Sequence, residues 1–177
     1  MKTQVLACEE LNRATRFEIN GGHEVIVDVA DLPEISHFRW ALQGSRPNNQ
    51  YAVARTPDGK LRMHRLIAGA KPGEIVDHIN GDRLDNRREN LRITDAKGNS
   101  QNAGKRKPNG QSRFKGVCRG ARGRNWRASI RQDGRTRFVG QFKTEEDAAR
   151  AYDVAAAALH GSFAKTNVDL GLLPPLT

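Results

Sequence analysis

Asp77 and His78 stand side by side at the end of the apolar run Ile75-Val76, and a polar loop follows them. That loop, Ile79-Asn80-Gly81-Asp82-Arg83-Leu84-Asp85-Asn86-Arg87-Arg88-Glu89-Asn90, leads into a second apolar segment, Leu91-Arg92-Ile93, with Asn99 beyond it. Carboxylate, imidazole and amide groups gathered in this way can hold a divalent cation and activate a water beside a phosphate. Neutral imidazole has the pKa that suits water activation near pH 7. A hard cation such as Mg²⁺ takes oxygen ligands and keeps several of its waters.

The elements that must position these groups read as strand, long loop, strand, helix. Ile75 to His78 and Leu91 to Ile93 are short β-branched runs, and Thr94-Asp95 offers N-cap options for a helix reaching about Gln101. Neighbours on a strand face opposite sides. Asp77 and His78 can therefore serve one site only at a twisted strand end or at a sheet edge. Asp85 and Asn86 read as loop formers. Arg83, Arg87, Arg88 and Arg92 are candidates for gripping a phosphate backbone.

Residues 1–60 read as a β-rich scaffold without a catalytic grouping. Phe17-Glu18-Ile19 and Val25-Ile26-Val27 flank the turn signal Asn20-Gly21-Gly22. Asp31-Leu32-Pro33-Glu34 predicts a short helix through Ile35 to Trp40, and Arg46-Pro47-Asn48-Asn49 a loop. Tyr51 to Arg55 and Leu61 to His64 predict a hairpin, and His64-Arg65-Leu66 begins a helix ending near Gly69.

The chain has 177 residues and a formal net charge of +10, with two cysteines, Cys8 and Cys118. Two widely separated cysteines exclude a disulfide framework and a four-cysteine zinc site, and point to a reducing, intracellular compartment. No apolar run approaches the roughly 20 residues of a membrane span. The N-terminal apolar run is too short for a signal peptide, and acids follow it.

Charge is distributed unevenly. Between Gly104 and Arg137 there are twelve basic residues against the single acid Asp133. They include Lys105, Arg106 and Lys107 in a Gly/Pro/Asn/Ser-containing linker at 103–112, then Arg113, Lys115 and Arg119. A clustered excess of this kind is the electrostatic footprint of a nucleic-acid partner.

Residues 113–170 predict three strands, Phe114 to Arg119, Trp126 to Gln132 and Thr136 to Gln141, with an Asp133-Gly134 turn. A capped, alanine-rich helix follows from Thr144 to Leu159. Period-2 alternation sends Trp126, Ala128 and Ile130 toward that helix, and Arg127, Ser129 and Arg131 the other way. A sheet face of Arg and Ser suits phosphate and guanine contacts in a DNA major groove. Residues 171–177 are an uninformative tail.

Two resemblances add to this reading. The phrases Phe114-Lys115-Gly116-Val117, Trp126 through Arg131, Val139-Gly140-Gln141-Phe142, Thr144 through Asp153 and Gly161 through Asn167 resemble the Apetala-type DNA-binding domain of plant ethylene-response factors. That family is a three-stranded sheet on one helix, and the resemblance implies DNA contacts from Lys115, Ser129, Arg131, Thr136, Phe138 and Gln141. This sequence differs at Cys118 and Ser129, where plant members usually carry Arg and Glu.

The segment 61–102, with His64-Arg65-Leu66 and then Asp77 through Arg92, resembles the HNH nucleases, especially homing endonucleases of phages and introns. The resemblance implies a ββα-metal unit with His78 as general base, Asn90 pinning the loop and orienting His78, His64 as a further site residue, and Asp77 and Asn99 as ligands of Mg²⁺ or Mn²⁺. It also implies a phage or bacterial, cytoplasmic setting. The expected fold is α+β: a β-rich scaffold, the ββα-metal unit, and a three-stranded antiparallel sheet packed on one helix. The expected function is a monomeric, metal-dependent DNA endonuclease that nicks one strand from the minor groove of double-stranded DNA. Neither a membrane nor a small-molecule substrate is expected. The alternatives are a DNA-binding regulator with a vestigial HNH unit and a basic RNA-binding protein.

Overall fold

The structure, a computed structural model, describes residues 13–45, 49–103, 112–121 and 123–175. Most of the expected basic linker, including Lys105, Arg106 and Lys107, lies outside the described residues. The chain divides into two compact units, Met1–Asp95 and Ala96–Thr177. Both are α+β; among the described residues the first holds three small antiparallel sheets and the second a single three-stranded one, each with few helices.

In the first unit β1 (Ala14–Ile19) pairs with β2 (His23–Asp28) across the Asn20-Gly21-Gly22 turn. Gly21 and Gly22 take φ of 90° and 72° there, which L side chains rarely adopt. A three-stranded sheet follows, β3 (Trp40–Gln43), β4 (Tyr51–Thr56) and β5 (Gly59–Arg62). Then come the helix Met63–Ile67 and the hairpin β6 (Ile75–His78) with β7 (Leu91–Thr94).

One expected element differs. The helix predicted through Ile35 to Trp40 is a single turn, Leu32–Ile35. Trp40 instead opens β3 opposite Ala54, buried, with its indole Nε1 donating to Ile35 O at 2.7 Å. Burying so large a ring, with its one polar atom satisfied, overrides the weak helical preference of the segment.

The catalytic-looking loop is fastened to the N-terminal strands. Ile26 N donates to Leu84 O at 2.9 Å, Asn86 N to Ile26 O at 2.7 Å, and Arg88 N to Asp28 Oδ2 at 2.8 Å. Leu84 and Leu91 pack against the core of Val25, Val27, Ile35, Trp40, Met63 and Ile67. The scaffold and the β6–β7 hairpin thus share one hydrophobic core.

In the second unit the helix Ala96–Asn102 comes first. The sheet order is β10-β9-β8, with β8 at Val117–Arg119, β9 at Trp126–Gln132 and β10 at Arg135–Phe142. Asp133 and Gly134, both at positive φ (50° and 77°), make the β9–β10 turn. The helix Glu145–His160 is capped by Thr144, whose hydroxyl accepts from Asp147 N, and its first turn is acidic. Its Ala148, Tyr152 and Ala156 pack on Ala128 and Ile130 of β9.

Gly116 is required where the chain passes Tyr152. Its φ is 76°, and an added Cβ would lie 2.0 Å from the Tyr152 ring. Gly116→Ala is expected to lower the stability of this unit by about 1–3 kcal/mol or more. A urea unfolding midpoint equal to that of the wild type would contradict this.

Candidate functional site

His78 is buried at the end of β6, and His64 is buried on the helix Met63–Ile67. Their ring centroids are 5.1 Å apart with planes at 68°, an edge-to-face contact. The ring of Tyr51, from β4, completes the cluster at 5.1 Å from His64 and 6.3 Å from His78. His78 Nε2 lies 3.3 Å from Asn86 Oδ1. A carbonyl oxygen accepts, so this contact selects the Nε2–H tautomer and places the imidazole lone pair on Nδ1.

Both imidazoles are held neutral. Burial pushes His64 down to about 3, helped by the charges of His78, Arg62, Arg65 and Arg83. Burial also lowers His78, and the Asn86 hydrogen bond and the nearby Asp77 partly counter it. A proton acceptor is thus available at neutral pH, with a pKa below that of a free histidine.

The lowered His64 pKa has a consequence for stability. In the folded chain His64 stays neutral down to about pH 3, whereas in the unfolded chain it protonates near 6.5. Between those values the unfolded state binds the extra proton. The stability is therefore complete above pH 6.5 and falls on acidification, by about 1.4 kcal/mol per pH unit at most. Urea midpoints of wild type and His64→Phe between pH 7 and pH 4.5 are expected to show a shallower pH slope in the variant. Equal slopes would refute it.

Asp77 is buried, and its Oδ2 accepts from Arg92 Nη2 at 2.8 Å and Nε at 3.1 Å, directly across the β6–β7 register. Asn99 is exposed on the helix Ala96–Asn102, in the second unit. Among the described residues no three His, Cys, Asp or Glu side chains converge on a cation position. The Asp77 carboxylate by itself fits a hard ion that keeps most of its waters, not a zinc site built wholly from protein ligands.

Asn90, expected to pin the loop and to orient His78, braces the loop. Its Oδ1 accepts from Asn80 N at 2.9 Å and its Nδ2 donates to Asp85 O at 2.7 Å. The amide that faces the imidazole is that of Asn86, read from sequence only as a loop former. Asp85 is buried and clamped by Arg87 Nε and Nη2 at 2.8 and 2.7 Å, with Asn80 Nδ2 at 2.9 Å. Burial would raise the Asp85 carboxyl, but Arg87 and Asn80 more than offset this and hold it below the usual range.

Most of the loop arginines are engaged within the fold. Arg87 pairs with Asp85 and Glu89, Arg88 with Asp31, and Arg92 with Asp77. Arg83 instead lies over the Tyr51 ring, 4.7 Å from its centroid.

The second unit carries a separate basic face. Arg127, Ser129 and Arg131 of β9 stand opposite Gln141, Phe138 and Thr136 of β10, so all six share one side of the sheet. Phe138 is 57% exposed, and the Arg127 guanidinium lies 4.9 Å from its ring centroid. A groove of about 770 Å³ runs beside them, lined by Gly120, Ala121, Arg124, Asn125, Arg127, Phe138 and Gln141.

Three other residues predicted at the interface have partners within the fold. Arg113 pairs with Glu146, and Arg119 lies over Trp126 and donates to Gly123 O at 2.8 Å. The Lys115 ammonium donates to Lys165 O and Gln101 O at 3.0 and 3.2 Å, and burial, then Lys165, lowers its pKa to about 8. Buried Asn167 was also missed by sequence reasoning. It ties Lys115 N and O to Asp153 in a brace that composition and spacing do not reveal.

Comparison with known proteins bears on both regions. Residues 62–101 match the HNH endonuclease family model. An uncharacterized HNH endonuclease of Acanthamoeba polyphaga mimivirus is 33% identical over 152 residues, 82% of this chain and 75% of the relative. An ethylene-responsive transcription factor of Arabidopsis thaliana is 47% identical over 75 residues, 41% of this chain and 28% of that protein. One from Nicotiana tabacum is 49% identical over 69 residues, 36% of this chain and 31% of that protein. These partial matches support a DNA-binding region in this chain. With a buried, neutral histidine pair inside the matched segment and the viral relative aligned over most of its length, the chain belongs to the HNH endonuclease family.

Proposed function

We propose that this endonuclease is a homing-type, Mg²⁺-dependent enzyme that hydrolyses one phosphodiester bond in one strand of double-stranded DNA. In this reading, site choice rests on the C-terminal sheet in the major groove. The observation that carries it is His78, buried, neutral, oriented by Asn86 and adjacent to the Asp77 carboxylate. The β6–β7 hairpin, its long loop and the helix Ala96–Asn102 follow one another in the order of a ββα-metal unit.

HNH nucleases generally use divalent metal ions. Asp77 would hold the ion in the first unit, where it would neutralise charge on the scissile phosphate and on the departing oxygen. His78 takes the proton of the attacking water at Nδ1. Asn86 keeps Nε2 protonated, which fixes the ring orientation and leaves that lone pair directed at the water. Asn90, Asp85 and Arg87 hold the loop closed around the imidazole. Arg92 fixes the Asp77 carboxylate. A single such site per chain predicts nicking by a monomer.

DNA as partner follows from the family and from the plant factors the chain partly matches; the major-groove assignment rests on the row of Arg127, Ser129 and Arg131. Cleavage of a randomised DNA pool, followed by sequencing of the products, tests the reading. Mg²⁺-dependent nicks at a recurrent site are expected. Absence of Mg²⁺-dependent cleavage would overturn it.

A further inference from the structure

Two guanidinium groups lie over the Tyr51 ring, Arg83 at 4.7 Å and Arg62 at 5.6 Å from its centroid. The same ring packs on His64 and His78. Arg87 and Arg88 of the same loop as Arg83, and Arg92 of β7, are each neutralised by a buried aspartate. Arg83 forms no ion pair among the described residues; its other contact is to the neutral amide of Asn49. A guanidinium paired with a carboxylate has its fork of donors occupied. One lying on an aromatic face is held by its π surface, and its N–H edge stays available to an anion. Two like charges over one ring also repel, and an arriving anion relieves that repulsion.

We propose that Arg83, positioned by Tyr51, is a catalytic residue that grips the scissile phosphate as His78 deprotonates the attacking water. The inference rests on the reading of His78 as general base. In the step, the water oxygen bonds to phosphorus and its proton goes to His78. The P–O3′ bond breaks, the electron pair leaves with the 3′ oxygen, and that oxygen takes a proton from solvent. Negative charge builds on the non-bridging oxygens, where a planar guanidinium forks onto both. A lysine ammonium reproduces the charge but neither the fork nor the ring stacking.

The test uses the full chain with Mg²⁺, on supercoiled plasmid carrying a site selected from the randomised pool. Single-turnover rates are read at saturating protein, alongside DNA Kd. Arg83→Gln is expected to cut about 10²-fold more slowly with Kd unchanged, and Arg83→Lys to recover part of the loss. Tyr51→Leu should fall between wild type and Arg83→Gln, and Tyr51→Phe, which keeps the ring, should retain more of the rate than Tyr51→Leu. A wild-type rate for Arg83→Gln, or a loss that vanishes at saturating protein, overturns the proposal. Should Arg83→Gln shift the thermal midpoint, Arg83→Lys decides: full wild-type activity there also overturns it. His78→Ala run in parallel separates the two readings. If it cuts at the wild-type rate, the base assignment fails. If it is inactive while Arg83→Gln is fully active, only the role of Arg83 falls.

Discussion

A His78→Ala variant is expected to nick DNA about 10²- to 10⁴-fold more slowly than the wild type with its DNA affinity unchanged. The loss follows from geometry: the fold buries the His78 imidazole, the residue after Asp77, and holds it against Asn86 Oδ1 at 3.3 Å. Removing it also leaves a gap against His64 and Tyr51, so the thermal midpoint of the variant should be compared directly with that of His78→Gln, which fills more of the space. Because burial lowers the His78 pKa from 6.5, the imidazole stays an acceptor on acidification through that value. The acid limb of the pH–rate profile should therefore lie below pH 6.5. Full activity in both variants, or an acid limb above 6.5, would remove His78 from the chemistry.

The second unit was the more legible in sequence, for a physical reason. Its sheet is exposed on one side and packed on a helix on the other, so β9 alternates strictly, with Ala128 and Ile130 buried and Arg127 and Arg131 exposed. The Asp133-Gly134 turn and the Thr144 cap are local signals that tertiary structure had no reason to override. The hairpin Ile75–His78 with Leu91–Thr94 was legible for the same local reasons. What surrounds its histidine was not. Tyr51 comes from a strand 27 positions upstream of His78 that the sequence marks only as part of a hairpin. The choice between Asn86 and Asn90 as the imidazole's partner is decided by how the loop docks on Ile26 and Asp28. The same long-range docking assigns the loop arginines to aspartates: Arg88 reaches Asp31, a residue that local pattern reads only as the start of a short helix. Charge counting finds basic residues but not which of them also have partners within the fold, as Lys115 does.

Replacing Arg127 and Arg131 together by alanine is expected to weaken binding at the selected site by about 1–3 kcal/mol for each guanidinium, roughly tenfold to a hundredfold apiece. Both project from the same side of β9, two strand positions on either side of Ser129, opposite Gln141 and Thr136. That spacing lets them address successive groups along a groove. If they read bases, the double variant loses discrimination between the selected site and a scrambled one, and the slope of log Kd against log salt barely changes. If they grip phosphates, affinity falls on both DNAs and the slope drops by about 0.9 per contact. Phe138 adds a distinguishing variant. Its exposed ring lies 4.9 Å from the Arg127 guanidinium and holds that side chain across the sheet. Phe138→Ala should therefore reproduce part of the Arg127 loss without removing charge. Because the nuclease histidines lie in the other unit, the single-turnover rate at saturating protein should survive the double substitution. An unchanged Kd on both DNAs would move site recognition off this sheet.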